Sequence, residues 1–71
     1  MTIKEAKREY NALLTRFNNA GEYFENDDIP YTEKEKFLPY FQKILTGLNY
    51  HLSQIEVYTN QEILGGFQDV K

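Results

Sequence analysis

The chain has 71 residues, of which 41% are apolar and 27% charged, and its formal net charge is −3. This balance is typical of a folded domain and argues against a disordered segment. A weakly acidic chain has no general attraction for nucleic acid or anionic lipid. Cysteine is absent, which excludes a disulfide scaffold and a thiolate zinc site. No apolar run could span a membrane and residues 1–7 contain no signal-peptide core, so we expect a cytoplasmic location.

The length also limits the function. A chain this short, with no disulfide or metal, is near the lower limit for a stable core. It must pack unusually well, pair with itself or dock on a larger protein. We therefore expect a single helical domain, residues 1–71, that acts as an interaction protein rather than an enzyme.

The first predicted element is a helix over about residues 2–25. Its apolar residues recur at alternating spacings of three and four, as in a heptad seam: Ile3, Ala6, Tyr10, Leu13, Phe17, Ala20 and Phe24. The opposite face is polar and includes Lys7 and Asn11. Residues 26–31 form a predicted turn, because Asn and Asp favour turns and the residue before Pro30 avoids helical geometry. A short connection predicts antiparallel helices.

The second helix is expected over about residues 33–58. Thr32 and Glu35 have the spacing of a capping box at its start. The predicted apolar stripe contains Tyr31, Leu38, Phe41, Leu45, Leu48, Leu52 and Ile55. Pro39 lacks a backbone donor, so it predicts either a kink near this position or a short first turn followed by a new helix.

A third, short helix is predicted over about residues 60–65. Thr59 and Glu62 repeat the capping-box spacing, Gly65 and Gly66 are a stop signal, and Phe67 is an apolar anchor. Residues 68–71 are expected to be a frayed tail. The predicted fold is all-α, an antiparallel hairpin of two long helices plus a short C-terminal helix. Apolar surface left on the second helix favours a homodimer, in the form of a four-helix bundle.

The turn at Ile29-Pro30 is followed by residues 35–39 (EKFLP), then by Ile44-Leu45 and Leu48, and finally by residues 62–67 (EILGGF). In these segments the chain resembles a group of small proteins from phages and prophages of Firmicutes. The resemblance covers most of the chain. It implies a setting, a phage protein made inside a bacterial cell, and it brings no activity and no functional residue with it.

Few residues in the sequence are candidates for catalysis or metal binding. His51 is the only histidine and has no strong ligand residue three or four positions away, so we expect an interfacial or surface histidine. Ser53 is the only serine and points to another face of the helix, which disfavours a nucleophile. Residues 26–30 do not match a calcium loop. The sequence therefore predicts no catalytic residue, no metal and no cofactor.

The acidic segment at residues 22–36 carries a local charge of −4. One interpretation is helix capping and ordinary turn chemistry. The other is an acidic tip, with Glu25, Asp27 and Asp28 contacting a basic groove on a partner protein.

Aromatic residues make up 15% of the chain, with six tyrosines and five phenylalanines. They either cap the ends of a small core or, at Phe37, Tyr40, Ile44 and Tyr50, form a second apolar face for another chain. Tyr10 and Tyr31 lie on the heptad seams and are expected in the core.

These patterns favour a non-enzymatic protein–protein interaction module. With the phage resemblance, its most specific form is an inhibitor that occludes a surface of a host enzyme or defence system. The alternative is a self-associating structural or assembly adaptor. A small DNA-binding regulator is disfavoured, because the candidate recognition helix at residues 61–66 has no Lys or Arg.

Overall fold

The computed structural model describes residues 2–70, and these form four helices: α1 (Ile3–Glu25), α2 (Tyr31–Lys36), α3 (Leu38–Ile55) and α4 (Asn60–Gly65). The two long helices, α1 and α3, pack against each other and run antiparallel. Phe24, late in α1, lies 5.2 Å from Phe41, early in α3, between ring centroids. The predicted all-α class with a packed pair of long helices is confirmed for the described residues.

Helix α1 begins and ends close to the predicted positions. The Thr2 hydroxyl accepts a hydrogen bond from the Glu5 backbone N–H at 3.1 Å and so satisfies one free amide of the first turn. At the other end, the Asn26 N–H donates to the Tyr23 carbonyl and closes the helix. The 23 residues between give α1 a length of about 35 Å.

The expected single helix over residues 33–58 is two helices separated at Phe37. Pro39 has no N–H to donate to the Glu35 carbonyl, so the hydrogen-bond ladder cannot continue. The chain instead starts α3 with proline in its first turn, the second of the two predicted arrangements. The prediction of a capping box at Thr32 was wrong. Helix α2 already starts at Tyr31, with Pro30 as its cap and no side-chain capping bond.

The inward face of α3 differs from the predicted stripe. Its buried residues are Ile44, Leu48, His51 and Ile55. Leu38 and Leu45 are exposed, and the predicted core residue Tyr31 is 72% exposed. A Leu13 methyl group of α1 lies so close to Gly47 that a Cβ there would meet it at 2.8 Å. With this close contact in place, the side of α3 that carries Ile44, Gly47 and His51 faces α1.

Helix α3 ends at Ile55, earlier than predicted, because Glu56 leaves helical geometry. Glu56 has φ 71° and ψ −44°, and the Val57 N–H donates to the Ile55 carbonyl at 2.9 Å. This is a γ-turn with positive φ, a rare and strained conformation for a residue with a side chain. The capping box of α4 is confirmed, since the Thr59 side chain accepts from the Glu62 N–H and the Glu62 side chain accepts from the Thr59 N–H.

The segment after α4, residues 66–70, packs along α1, and we call it the C-terminal strap. Phe67 is buried as predicted, with its ring edge-to-face on Tyr10 at 5.4 Å between centroids. The expected frayed tail was wrong for residues 68–70. Val70 is buried in the core, and Asp69 pairs with Lys7 at 2.8 Å. Lys71 lies outside the described residues.

Candidate docking surface

An aromatic cleft lies where the end of α1 meets the start of α3. Tyr23 and Phe37 form one wall in edge-to-face contact, with ring centroids 5.1 Å apart. The cleft has a volume of about 340 Å³ and is lined by Arg16, Asn19, Ala20, Tyr23, Phe24, Phe37 and Tyr40. Among residues 2–70, Arg16 is the only charged residue that lines the cleft.

Two of the predicted anchor residues lie in this cleft with much of their surface in solvent. Phe37 is 47% exposed and Tyr40 is 51% exposed. Their rings leave large apolar areas open beside an existing depression, which is the geometry that protein interfaces use for anchor residues. The structure therefore brings Phe37 and Tyr40 together on one surface.

The other two predicted anchors do not join them. Ile44 is 3% exposed and belongs to the core, so its assignment to a second exposed face was wrong. It faces α1 because the close contact at Gly47 sets the rotation of α3. Tyr50 is exposed but lies ten residues after Tyr40, about 15 Å further along α3. Its ring contacts the His51 ring edge-to-face instead.

The acidic turn, with Glu25, Asp27 and Asp28, lies at the same end of the molecule as the aromatic cleft. All three side chains are exposed. The Asn26 side chain accepts a hydrogen bond from the Asp28 N–H at 2.9 Å, which fixes the turn. Among residues 2–70, no ion pair includes any of these three carboxylates. Their charge is therefore directed to solvent beside the cleft.

The opposite end of the molecule joins the start of α1 to the C-terminal strap. Folding brings Asp69 next to Lys7 in the second turn of α1, where its carboxylate offsets part of the positive charge. The Lys7 side chain is engaged twice, by Asp69 at 2.8 Å and by the Phe67 ring at 5.3 Å. The hydrogen bond from Lys7, more than any other contact, lowers the pKa of Asp69.

Asn11 holds the C-terminal strap by a paired contact that the sequence did not indicate. Its amide nitrogen donates to the Phe67 carbonyl at 2.8 Å, and its amide oxygen accepts from the Phe67 N–H at 2.7 Å. Beside it, the Tyr10 hydroxyl donates to the Ile63 carbonyl. Burial, and secondarily the nearby Tyr58, raise the pKa of Tyr10. Asn11 lies one residue after Tyr10, off the heptad seam, so the apolar pattern gave no signal for this contact.

His51 is buried, contrary to the expected interfacial or surface position. It is 8% exposed, and its Nδ1 has no hydrogen-bond partner in the described part of the chain. Within residues 2–70, no group of three or more His, Cys, Asp and Glu side chains is placed to hold a metal ion. In the same range, no helix is long and apolar enough to cross a membrane.

Comparison with known proteins gives no match: no family model fits the chain, and neither a curated protein nor a solved structure is similar to it.

Proposed function

We propose that this protein is a non-enzymatic docking module that binds a larger protein through its aromatic cleft and acidic turn. The observation that carries the proposal is the juxtaposition of two half-exposed aromatic rings, Phe37 and Tyr40, with three unpaired carboxylates at one end of the molecule. Aromatic anchors supply binding energy, and charge around them supplies orientation and a faster association rate.

The chemistry of this surface defines its partner. The carboxylates of Glu25, Asp27 and Asp28 match a positively charged surface, and the cleft accepts one apolar side chain at its centre. The partner is therefore a protein with a basic patch around an exposed apolar residue, such as a groove that binds nucleic acid. A module bound over such a groove prevents nucleic acid from binding there. With the resemblance to phage proteins, this gives an inhibitor of a bacterial enzyme or defence system that acts in the host cytoplasm.

The test is capture of a partner from a Firmicutes cell lysate with four tagged baits, followed by identification by mass spectrometry. The baits are the natural chain, Phe37→Ser with Tyr40→Ser, Asp27→Lys with Asp28→Lys, and the control Val57→Ser. Val57 is 85% exposed and follows the other end of α3, so the control removes an apolar side chain far from the cleft. Thermal unfolding of each bait checks its fold.

One stoichiometric protein that is retained by the natural chain and by Val57→Ser, and lost by both cleft and turn variants, supports the proposal. Loss of an anchor at a protein interface costs about 2 kcal/mol or more, which is roughly a 30-fold weaker Kd. Charge reversal should leave the melting temperature nearly unchanged, because neither carboxylate is paired. Equal retention by all four baits, or no retained protein at all, contradicts the proposal.

A self-associating adaptor is the second candidate. The residues first assigned to self-association do not share one exposed face, since Ile44 is buried. The apolar side chains that such an adaptor would use are the exposed Leu38, Leu45 and Leu64.

A further inference from the structure

The aromatic cleft has two ends of different chemical character. At one end, Tyr23 and Phe37 form a wall of rings with centroids 5.1 Å apart. At the other end lies Arg16, which precedes Tyr23 by seven residues and therefore by about 10 Å along α1. Seven residues complete nearly two helical turns, so both side chains lie on the same side of α1. The cleft thus joins an apolar end to a positively charged end.

The charged end carries three side chains whose hydrogen-bond donors have no partner in the described part of the chain. These side chains are Arg16, Asn19 and Tyr40, and all three line the cleft and are exposed. Within residues 2–70, no ion pair includes Arg16, and no hydrogen bond uses the side chain of any of the three. A guanidinium group is a fork of donors that matches the two oxygens of a carboxylate. The complementary ligand group for this end is therefore a carboxylate.

The acidic turn does not cancel the charge of Arg16. Glu25, the first of its three carboxylates along the chain, follows Arg16 by nine residues, which is about 14 Å along α1. This distance exceeds the Debye length of about 8 Å at physiological ionic strength, so the turn repels an anion at Arg16 only weakly. Glu22 is nearer along α1, but it lies about 120° around the helix from Arg16 and does not line the cleft.

The volume of the cleft limits the size of its ligand. About 340 Å³ is near the lower end of the range for ligand pockets, roughly 300–1,000 Å³. A cleft of this size holds one residue, so the ring for the apolar end and the carboxylate for the charged end must belong to the same residue. The long side chains that line the cleft shorten the distance between the two ends. In a protein chain, only a C-terminal aromatic residue carries a ring and a carboxylate together.

We propose that the aromatic cleft binds the C-terminal aromatic residue of the partner protein, with its ring against Tyr23 and Phe37 and its carboxylate on Arg16. This inference rests on the proposed docking function and names the group that enters the cleft. Asn19 and Tyr40 donate further hydrogen bonds to the carboxylate. Arg16 is the specificity-determining residue, because it distinguishes a charged chain end from an internal aromatic residue, whose carbonyl is part of a neutral amide.

The experiment is an NMR titration of the ¹⁵N-labelled full chain at pH 7 with two probes, N-acetyl-phenylalanine and N-acetyl-phenylalaninamide. The probes share the ring and the blocked amine and differ only in the carboxylate. The chains are the natural chain, Arg16→Gln and the matched control Arg8→Gln. Arg8 is exposed, forms no ion pair within residues 2–70 and lies on the same helix about 12 Å before Arg16, outside the cleft. The amide spectrum of each variant shows whether it keeps the fold.

The natural chain and Arg8→Gln are expected to bind the acid at the cleft with a Kd on the order of 1 mM, as for other ligands of this size. The acid should bind about three to ten times more tightly than the amide. Arg16→Gln should bind both probes with the affinity that the natural chain has for the amide.

Four results would overturn the inference: no binding of the acid, signal shifts only outside the cleft, equal binding of the two probes to the natural chain, or a preference for the acid that survives Arg16→Gln. A preference that is lost equally in Arg8→Gln would also overturn it, because net charge would then explain the effect. The titration needs no partner protein, so its outcome is separate from that of the lysate capture. A captured partner together with equal binding of the two probes would leave the docking function standing and refute only the chain-end ligand.

Discussion

The strongest stability prediction concerns Asn11, whose side chain fixes the C-terminal strap. Asn11→Ala removes two hydrogen bonds, of 2.8 and 2.7 Å, to the backbone of Phe67. It also leaves the N–H and the carbonyl of Phe67 without partners in a partly buried position. Asn19 is an exposed asparagine on the same helix, so Asn19→Ala is the matched control.

The magnitude follows from these contacts. A hydrogen bond contributes about 0.5–1.5 kcal/mol net, and a buried polar group left unpaired costs about 1–3 kcal/mol. Partial access of water to the strap reduces the second figure, so we expect a loss of about 2–3 kcal/mol. A domain of this length has a free energy of unfolding of about 4–10 kcal/mol. One substitution should therefore remove about a fifth or more of the stability.

Thermal unfolding followed by circular dichroism measures this loss. For a domain of this size, 1 kcal/mol shifts the midpoint by about 4–8 °C, so Asn11→Ala should melt at least about 8 °C below the natural chain. Asn19→Ala should melt within a few degrees of it. Equal midpoints for the two variants would refute the view that the strap is an integral part of the fold.

Three further predictions use other features. Glu56→Gly should raise the free energy of unfolding by about 1 kcal/mol in urea titrations, because glycine adopts φ 71° without strain; a decrease would contradict the γ-turn. Thr59→Ala should lower the free energy of unfolding by about 1 kcal/mol and Thr32→Ala by much less, since of these two threonines only Thr59 accepts a capping hydrogen bond. In a spectrophotometric titration of the natural chain, one tyrosine should ionise at a higher pH than the others. This late step should be absent from Tyr10→Phe. Because the pKa of Tyr10 is raised in the folded chain, the stability it gives is full below about pH 10 and falls as pH rises through the raised value.

Sequence periodicity predicted the helices well because their start and stop signals are local. Helix α1 lies within a residue or two of its predicted bounds, and α4 has the predicted capping box. The same Thr-x-x-Glu spacing failed at Thr32, because Pro30 caps the helix two residues earlier. Identical spacing thus gave a cap at one site and not at the other, and the preceding backbone decided between them.

The rotation of α3 could not be read from the pattern of apolar residues. Counting apolar residues placed Leu38 and Leu45 inside and His51 at the edge. The packed structure reverses this, because a Leu13 methyl group fills the space that Gly47 leaves. The face of α3 that packs on α1 therefore includes a glycine and a histidine, two residue types that an apolar stripe does not count. The same rotation buried Ile44, a predicted partner-binding residue, and exposed Leu38 and Leu45, two predicted core residues.

The strap also fixes the order in which this chain can fold. Its contacts join residues 56 to 62 positions apart, whereas the antiparallel pair α1 and α3 is joined by the much shorter connection at residues 26–37. Closing the long loop first carries the larger entropic cost, so the hairpin forms early and the strap docks last. Interactions made only after the transition state govern the unfolding rate. Substitutions in the strap should therefore speed unfolding and leave the folding rate almost unchanged, which makes the strap the determinant of how long the folded chain persists.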